Sequence, residues 1–148
     1  METKNSYYKA LCFTLKQIIG DEPDSVAVMA ITVAAIMKSF DVLWVGFYRV
    51  QGDFLVLGPF QGPLACMRIA RGKGVCGAAW DKKECIIVPD VDKFPGHIAC
   101  NALSQSEIVI PLIRNGEVVA VLDIDSEDLD AFDAVDKEYL TQIVNMQK

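Results

Sequence analysis

A chain of 148 residues with 52% hydrophobic side chains can bury about 70% of the surface it exposes when unfolded, so a disordered polymer is excluded and no second domain is required. A net charge of −6 argues against nucleic acid and anionic membranes as partners, because both select clustered Lys and Arg. No apolar run reaches the length of a membrane span, and the first residues lack a basic segment followed by an apolar one, so a cytoplasmic location is expected.

A first helix is expected over residues 6–19, where Leu11, Leu15, Ile18 and Ile19 share one face, with Ser6 as its N-cap and Gly20 as its end. A second, over 25–40, is apolar nearly all round. From Val42 the pattern turns to strands. Residues 42–50 and 54–60 flank the short loop Gln51-Gly52-Asp53, and a third strand is expected near 64–69. Gly72-Lys73-Gly74-Val75-Cys76-Gly77 then reads as a turn entering a short helix, followed by a strand over 85–88. A structureless stretch over 89–103 is unusually long for so small a chain, and loops of that length are often functional. Strands over 107–114 and 117–125 meet at Asn115-Gly116, a strong hairpin signal. Asp133 is placed to cap a last helix carrying Val135, Tyr139, Leu140, Ile143 and Val144. The expected fold is α+β, a single domain over 1–148. Its mostly antiparallel six-stranded sheet has the terminal helices on one face and the loops on the other.

In Val121-Leu122-Asp123-Ile124-Asp125, strand alternation puts both aspartates on one face. With Asn115-Gly116 as the turn, paired residue numbers sum to about 231, which sets Glu107 opposite Ile124 and near both aspartates, its facing left open. Three crowded carboxylates would repel one another and raise at least one pKa. Such a group can bind an ammonium ion and keep a proton for donation, although a solvated strand end reads equally well from the pattern.

The five cysteines are Cys12, Cys66, Cys76, Cys85 and Cys100. An odd number in a reducing compartment argues against permanent disulfides. Cys76 enters a helix from a glycine-rich turn, where the helix dipole would lower its pKa. Cys100 follows the single histidine, His97, by three residues in the long loop; His97 either charges that thiol or fastens the loop. Cys12 and Cys85 read as packing residues. No Cys-x-x-Cys or paired-histidine spacing exists, so a metal is not expected, and no Gly-x-Ser-x-Gly elbow exists for a serine hydrolase. Gly72-x-Gly74-x-x-Gly77 lacks the parallel strand-helix-strand context of a dinucleotide site, so no cofactor is expected.

Taken together, Trp44-Val45-Gly46-Phe47-Tyr48, Gly62-Pro63-Leu64-Ala65-Cys66, Gly72-Lys73-Gly74-Val75-Cys76-Gly77, Gly96-His97-Ile98-Ala99-Cys100 and Ser106-Glu107-Ile108-Val109 with Val121-Leu122-Asp123-Ile124-Asp125-Ser126 resemble the free methionine-(R)-sulfoxide reductases, a catalytic branch of the GAF-domain fold. The resemblance covers essentially the whole chain. It implies that Cys100 attacks the sulfoxide sulfur and passes through a sulfenic acid. Cys66 would resolve that acid as a disulfide, with Cys76 a third redox cysteine of undecided role. It further implies that Glu107, Asp123 and Asp125 bind the substrate ammonium and supply a proton, with Glu107 and Asp125 in catalytic roles. Trp44 and Tyr48 would pack on the substrate's S-methyl group, and backbone N–H groups at Ile98, Ala99 and Cys100 are placed by loop position to hold its carboxylate. Thioredoxin or a similar dithiol would recycle the thiols, and the family's habit makes a homodimer reasonable. The alternative is a non-catalytic GAF-type domain that binds a small ligand or senses redox state.

Overall fold

The computed structural model describes residues 3–98 and 100–148. Helix α1 spans Lys4–Ile19 and α2 spans Ser25–Ser39. Strands β1 (Trp44–Gln51), β2 (Phe54–Gln61) and β3 (Arg68–Ala70) lead into helix α3 (Gly74–Lys82) and strand β4 (Ile86–Val88). A single 3-10 turn at Val91–Lys93 precedes β5 (Ser106–Arg114), β6 (Glu117–Ser126) and helix α4 (Ala134–Asn145). The six strands form one antiparallel sheet in the order β3-β2-β1-β6-β5-β4.

Helix α1 begins two residues before the expected start. Its N-cap is Thr3, whose side chain accepts from the Ser6 N–H while the Ser6 hydroxyl oxygen accepts from the Thr3 N–H. Ser6 is thus the second half of a capping box rather than the cap. Asp24 caps α2 by accepting from Ala27, and Asp133 caps α4 as expected. Gly20 ends α1 at φ +45°, a conformation that side chains with a Cβ rarely adopt.

The sheet has a core on each face. On one, Val45, Phe47, Ile108, Ile110, Leu122 and Ile124 meet Leu11, Leu15, Val33, Ile36, Leu140 and Ile143 of α1, α2 and α4. On the other, Trp44, Tyr48, Leu55, Val109 and Val121 meet Val75, Ala79 and Trp80 of α3, and Val91 of the following loop. The alternation of β1 and β6 therefore divides the chain into a helix-covered side and a side built for something else. Fully burying a Leu or Ile contributes about 1.5–3 kcal/mol, and both faces of the sheet bury such side chains.

Two further expectations need correction. The segment over 64–69 is a strand only from Arg68, and Leu64 and Met67 before it are exposed, so Cys66 lies on a loop. The stretch over 89–103 has local structure. Asp90 caps its 3-10 turn, and its ends are pinned by Val91 N–H to the Gln105 carbonyl (2.9 Å) and Gln105 N–H to the Ser126 carbonyl (2.7 Å).

Candidate active site

The register of the last hairpin decides where the carboxylates go. Near the turn Arg114 pairs with Glu117 and Ile113 with Val118, but an irregularity between Leu112 and Ile113 shifts the pairing by one. Glu107 therefore lies opposite Asp125, not Ile124, and Val109 opposite Asp123. One residue of shift reverses facing in a strand, so the bulge puts Glu107 on the same face as both aspartates. Strand β1 extends the pattern, with Trp44 opposite Asp125 and Gly46 opposite Asp123. Glu107, Asp125 and Trp44 thus form one cross-strand row; Val109, Asp123 and Gly46 form the next.

Gly46 makes room for the indole. A Cβ at that position would stand 2.5 Å from Trp44 Cη2, and one at Gly62 would stand 2.8 Å from Trp44 Cδ1. Trp44 lies against Phe60 and Tyr48 with ring centroids 5.5 and 5.9 Å away, and its Nε1–H is buried with no hydrogen-bond partner among the described residues. Trp44 and Tyr48 share the pocket face, as strand spacing predicts.

The pocket lies between this sheet face, α3 and the 89–105 loop. Glu107 and Asp123 are each 6% exposed, too little for water to screen their charge. Burial raises the pKa of all three carboxyl groups. For Glu107 the neighbouring charges of Asp123 and Asp125 add to the rise. For Asp123 burial is opposed by the neighbouring Glu107 carboxyl and Cys76 thiol, and for Asp125 by a 2.8 Å hydrogen bond from the Ser104 hydroxyl. Burial thus favours the neutral form of all three, and Asp123 is the one whose neighbours most oppose that rise.

Cys66 and Cys100 are joined in a disulfide with Cα atoms 5.5 Å apart, 34 residues separate in the chain, and Cys100 lines the pocket. Cys76 is the third residue of α3 and lines the pocket as a free, buried thiol. The helix dipole does not lower its pKa. Burial pushes the thiol well above its ordinary range, and Asp123, Glu107 and Asp125 push it further, so desolvation and three acidic neighbours outweigh one helix end. Cys12 and Cys85 pack into the helix-covered side of the sheet, away from the pocket.

His97 points at the carboxylates: its Nε2 lies 3.9 Å from Glu107 Oε1. Its backbone N–H also donates to the Phe94 carbonyl, 3.2 Å away. Of the three N–H groups expected to meet a carboxylate, that of Cys100 donates to the Ile98 carbonyl (3.1 Å) in the disulfide form. The Ile98 side chain rests on Gly74, and Ala99 lies outside the described residues.

A family model described as a GAF domain matches residues 22–145. The chain is 48% identical over 145 residues to GAF domain-containing protein A of Dictyostelium discoideum, covering 97% of this chain and 92% of that protein. It is 42% identical over 142 residues to the free methionine-R-sulfoxide reductase of Escherichia coli (strain K12), covering 95% and 86%. A solved structure of free methionine-R-sulfoxide reductase from Neisseria meningitidis in complex with its substrate superposes at a TM-score of 0.96 with 47% identity, over 99% of this chain and 89% of that one. The chain belongs to the GAF-domain family, in the group of the free methionine-R-sulfoxide reductases.

Within this GAF domain, sequence reasoning missed three contributors. Ser104 binds Asp125 from a loop position that no periodicity marks, while Gly46 and Gly62 act by the side chain they lack. For Gly46 the signal was available in principle: a glycine inside a strand marks a close approach, here that of the Trp44 ring. Among the described residues no helix is long and apolar enough to cross a membrane.

Proposed function

We propose that this protein reduces free methionine-R-sulfoxide to methionine, with Cys100 as nucleophile. The observation that carries the reading is the disulfide of Cys66 and Cys100 at a pocket floored by Glu107, Asp123 and Asp125. The substrate's ammonium group would meet Asp123 and Asp125, an arrangement that selects the free amino acid because a peptide-bonded methionine has no such charge. The Cys100 thiolate attacks the sulfoxide sulfur while Glu107 protonates the oxygen. Oxygen passes to Cys100, so a two-electron reduction of the sulfoxide is balanced by oxidation of the thiol to a sulfenic acid. The Cys66 thiol then attacks that sulfur, water leaves, and the disulfide forms. Thioredoxin or a similar dithiol restores both thiols by exchange. Trp44 packs against the S-methyl group, a sulfur–aromatic contact of about 0.3–1.5 kcal/mol. Cys76, with its raised pKa, is poorly suited to open the reaction.

The test is turnover of free L-methionine-R-sulfoxide with thioredoxin, its reductase and a reduced nicotinamide, against the S epimer and an N-acetylated substrate. Methionine should form from the free R epimer alone and not in Cys100→Ser. No methionine from the wild type, or undiminished turnover in Cys100→Ser, overturns the assignment.

A further inference from the structure

We propose that Cys76, Glu107 and Asp123 form a binding site for a zinc-class divalent cation. One donor atom from each, a thiol sulfur and two carboxylate oxygens, lies within 4.8 Å of the others, and all three residues are buried. They come from α3, β5 and β6, so tertiary packing alone brings them together. Asp123 Oδ1 is buried in this cluster without a hydrogen-bond partner among the described residues. A buried carboxylate oxygen left without a donor is costly, and a cation seated between it and the thiol removes that cost. His97 Nε2, 3.9 Å from Glu107 Oε1, borders this cluster without belonging to it, which leaves the fourth position of a tetrahedral ion to water.

The donor set decides the metal. A thiolate sulfur with two carboxylate oxygens suits zinc, whereas calcium and magnesium prefer oxygen alone. With zinc–sulfur bonds of about 2.3 Å and zinc–oxygen bonds of about 2.1 Å, adjacent ligand atoms in a tetrahedron stand about 3.6 Å apart. A separation of 4.8 Å is about 1 Å more than that, within reach of side-chain rotation. Binding displaces the thiol proton and the proton held by Glu107. The pocket's basic side chain, Lys73, is exposed, so it does not occupy the cation's place.

The site stays complete when Cys66 and Cys100 are joined, because Cys76 takes no part in that disulfide. In the oxidised protein the other free thiols, Cys12 and Cys85, pack on the far side of the sheet. Metal binding can therefore be read without activity. That zinc would also exclude the substrate ammonium from Asp123 rests on the function proposed above; the binding itself does not.

The experiment titrates the oxidised full-length protein with cobalt(II), a spectroscopic substitute for zinc. One equivalent should give a thiolate-to-cobalt charge-transfer band and the intense visible bands of four-coordinate cobalt, both abolished by zinc. Cys76→Ser should lose the charge-transfer band, and Asp123→Asn, which keeps the thiol, should bind at least tenfold more weakly. The double variant Cys12→Ser, Cys85→Ser should keep the band. No band in the wild type, an unchanged band in Cys76→Ser, undiminished affinity in Asp123→Asn, or loss of the band in the double variant overturns the proposal. Turnover measured in the presence of a chelator decides the reductase reading separately.

Discussion

The Tyr48 hydroxyl donates a 2.8 Å hydrogen bond to the backbone carbonyl of Cys66. Cys66 sits on the loop between β2 and β3 with exposed neighbours Leu64 and Met67, so this bond from a buried strand residue holds its loop at the pocket wall. Tyr48→Phe should therefore cost about 1 kcal/mol of stability. It should also slow disulfide closure several-fold while leaving formation of the first methionine per chain nearly unchanged. Comparing single-turnover with steady-state rates checks this; a slowed first turnover would instead make the hydroxyl a substrate contact.

The pairing of Cys66 with Cys100 bears on the third thiol. Cys66→Ser should release about one methionine per chain and then stall, because the sulfenic acid has lost its partner. Rapid-quench product counting measures it, and full multiple turnover in that variant would assign resolution to Cys76.

Glu107 holds a proton in the folded protein at pH values where the unfolded chain has lost it, because burial raises its pKa above the ordinary 4.5. The folded state thus binds more protons, and this group's contribution to stability is lost as pH rises from the ordinary glutamate range through the folded value. Glu107→Gln should flatten that slope and raise neutral-pH stability by about 0.5–2 kcal/mol. It should cut the first-turnover rate by roughly 100-fold or more, as expected for loss of a general acid. Urea melts across pH and single-turnover rates test the two halves. In the wild type, activity should fall as pH rises and Glu107 ionises.

Gly46→Ala would put a methyl group 2.5 Å from the Trp44 ring and from Phe60 Cβ. Overpacking of this kind costs about 1–3 kcal/mol, and the ring has to move to accept it. The expected outcome is a lower Tm with a KM raised more than kcat is reduced. A variant with native Tm and native KM would show that the indole's position does not depend on that space.

How much of this was legible in advance differs by level. The alternation of Leu122 and Ile124 with Asp123 and Asp125, the Asn115-Gly116 turn and the cap at Asp133 are local patterns. Period-two facing, positive-φ turn chemistry and N–H capping act over a few residues, so they can be read along the chain. The start of α1 was misread by the same logic, because Thr3 and Ser6 both have capping chemistry and only their reciprocal bonds tell them apart.

The sequence by itself determined that a helix-covered sheet would leave two aspartates on its other face, with thiols carried on turns and loops around it. Tertiary structure alone decided that Glu107 joins them, because a one-residue irregularity at Leu112 sets the facing of every residue beyond it. It alone decided that Cys76 is buried among carboxylates and so held protonated, since desolvation and charge depend on neighbours from three separate elements. The bond from Tyr48 to the Cys66 loop is of the same kind: it joins residues 18 apart in sequence, and no local periodicity encodes that contact.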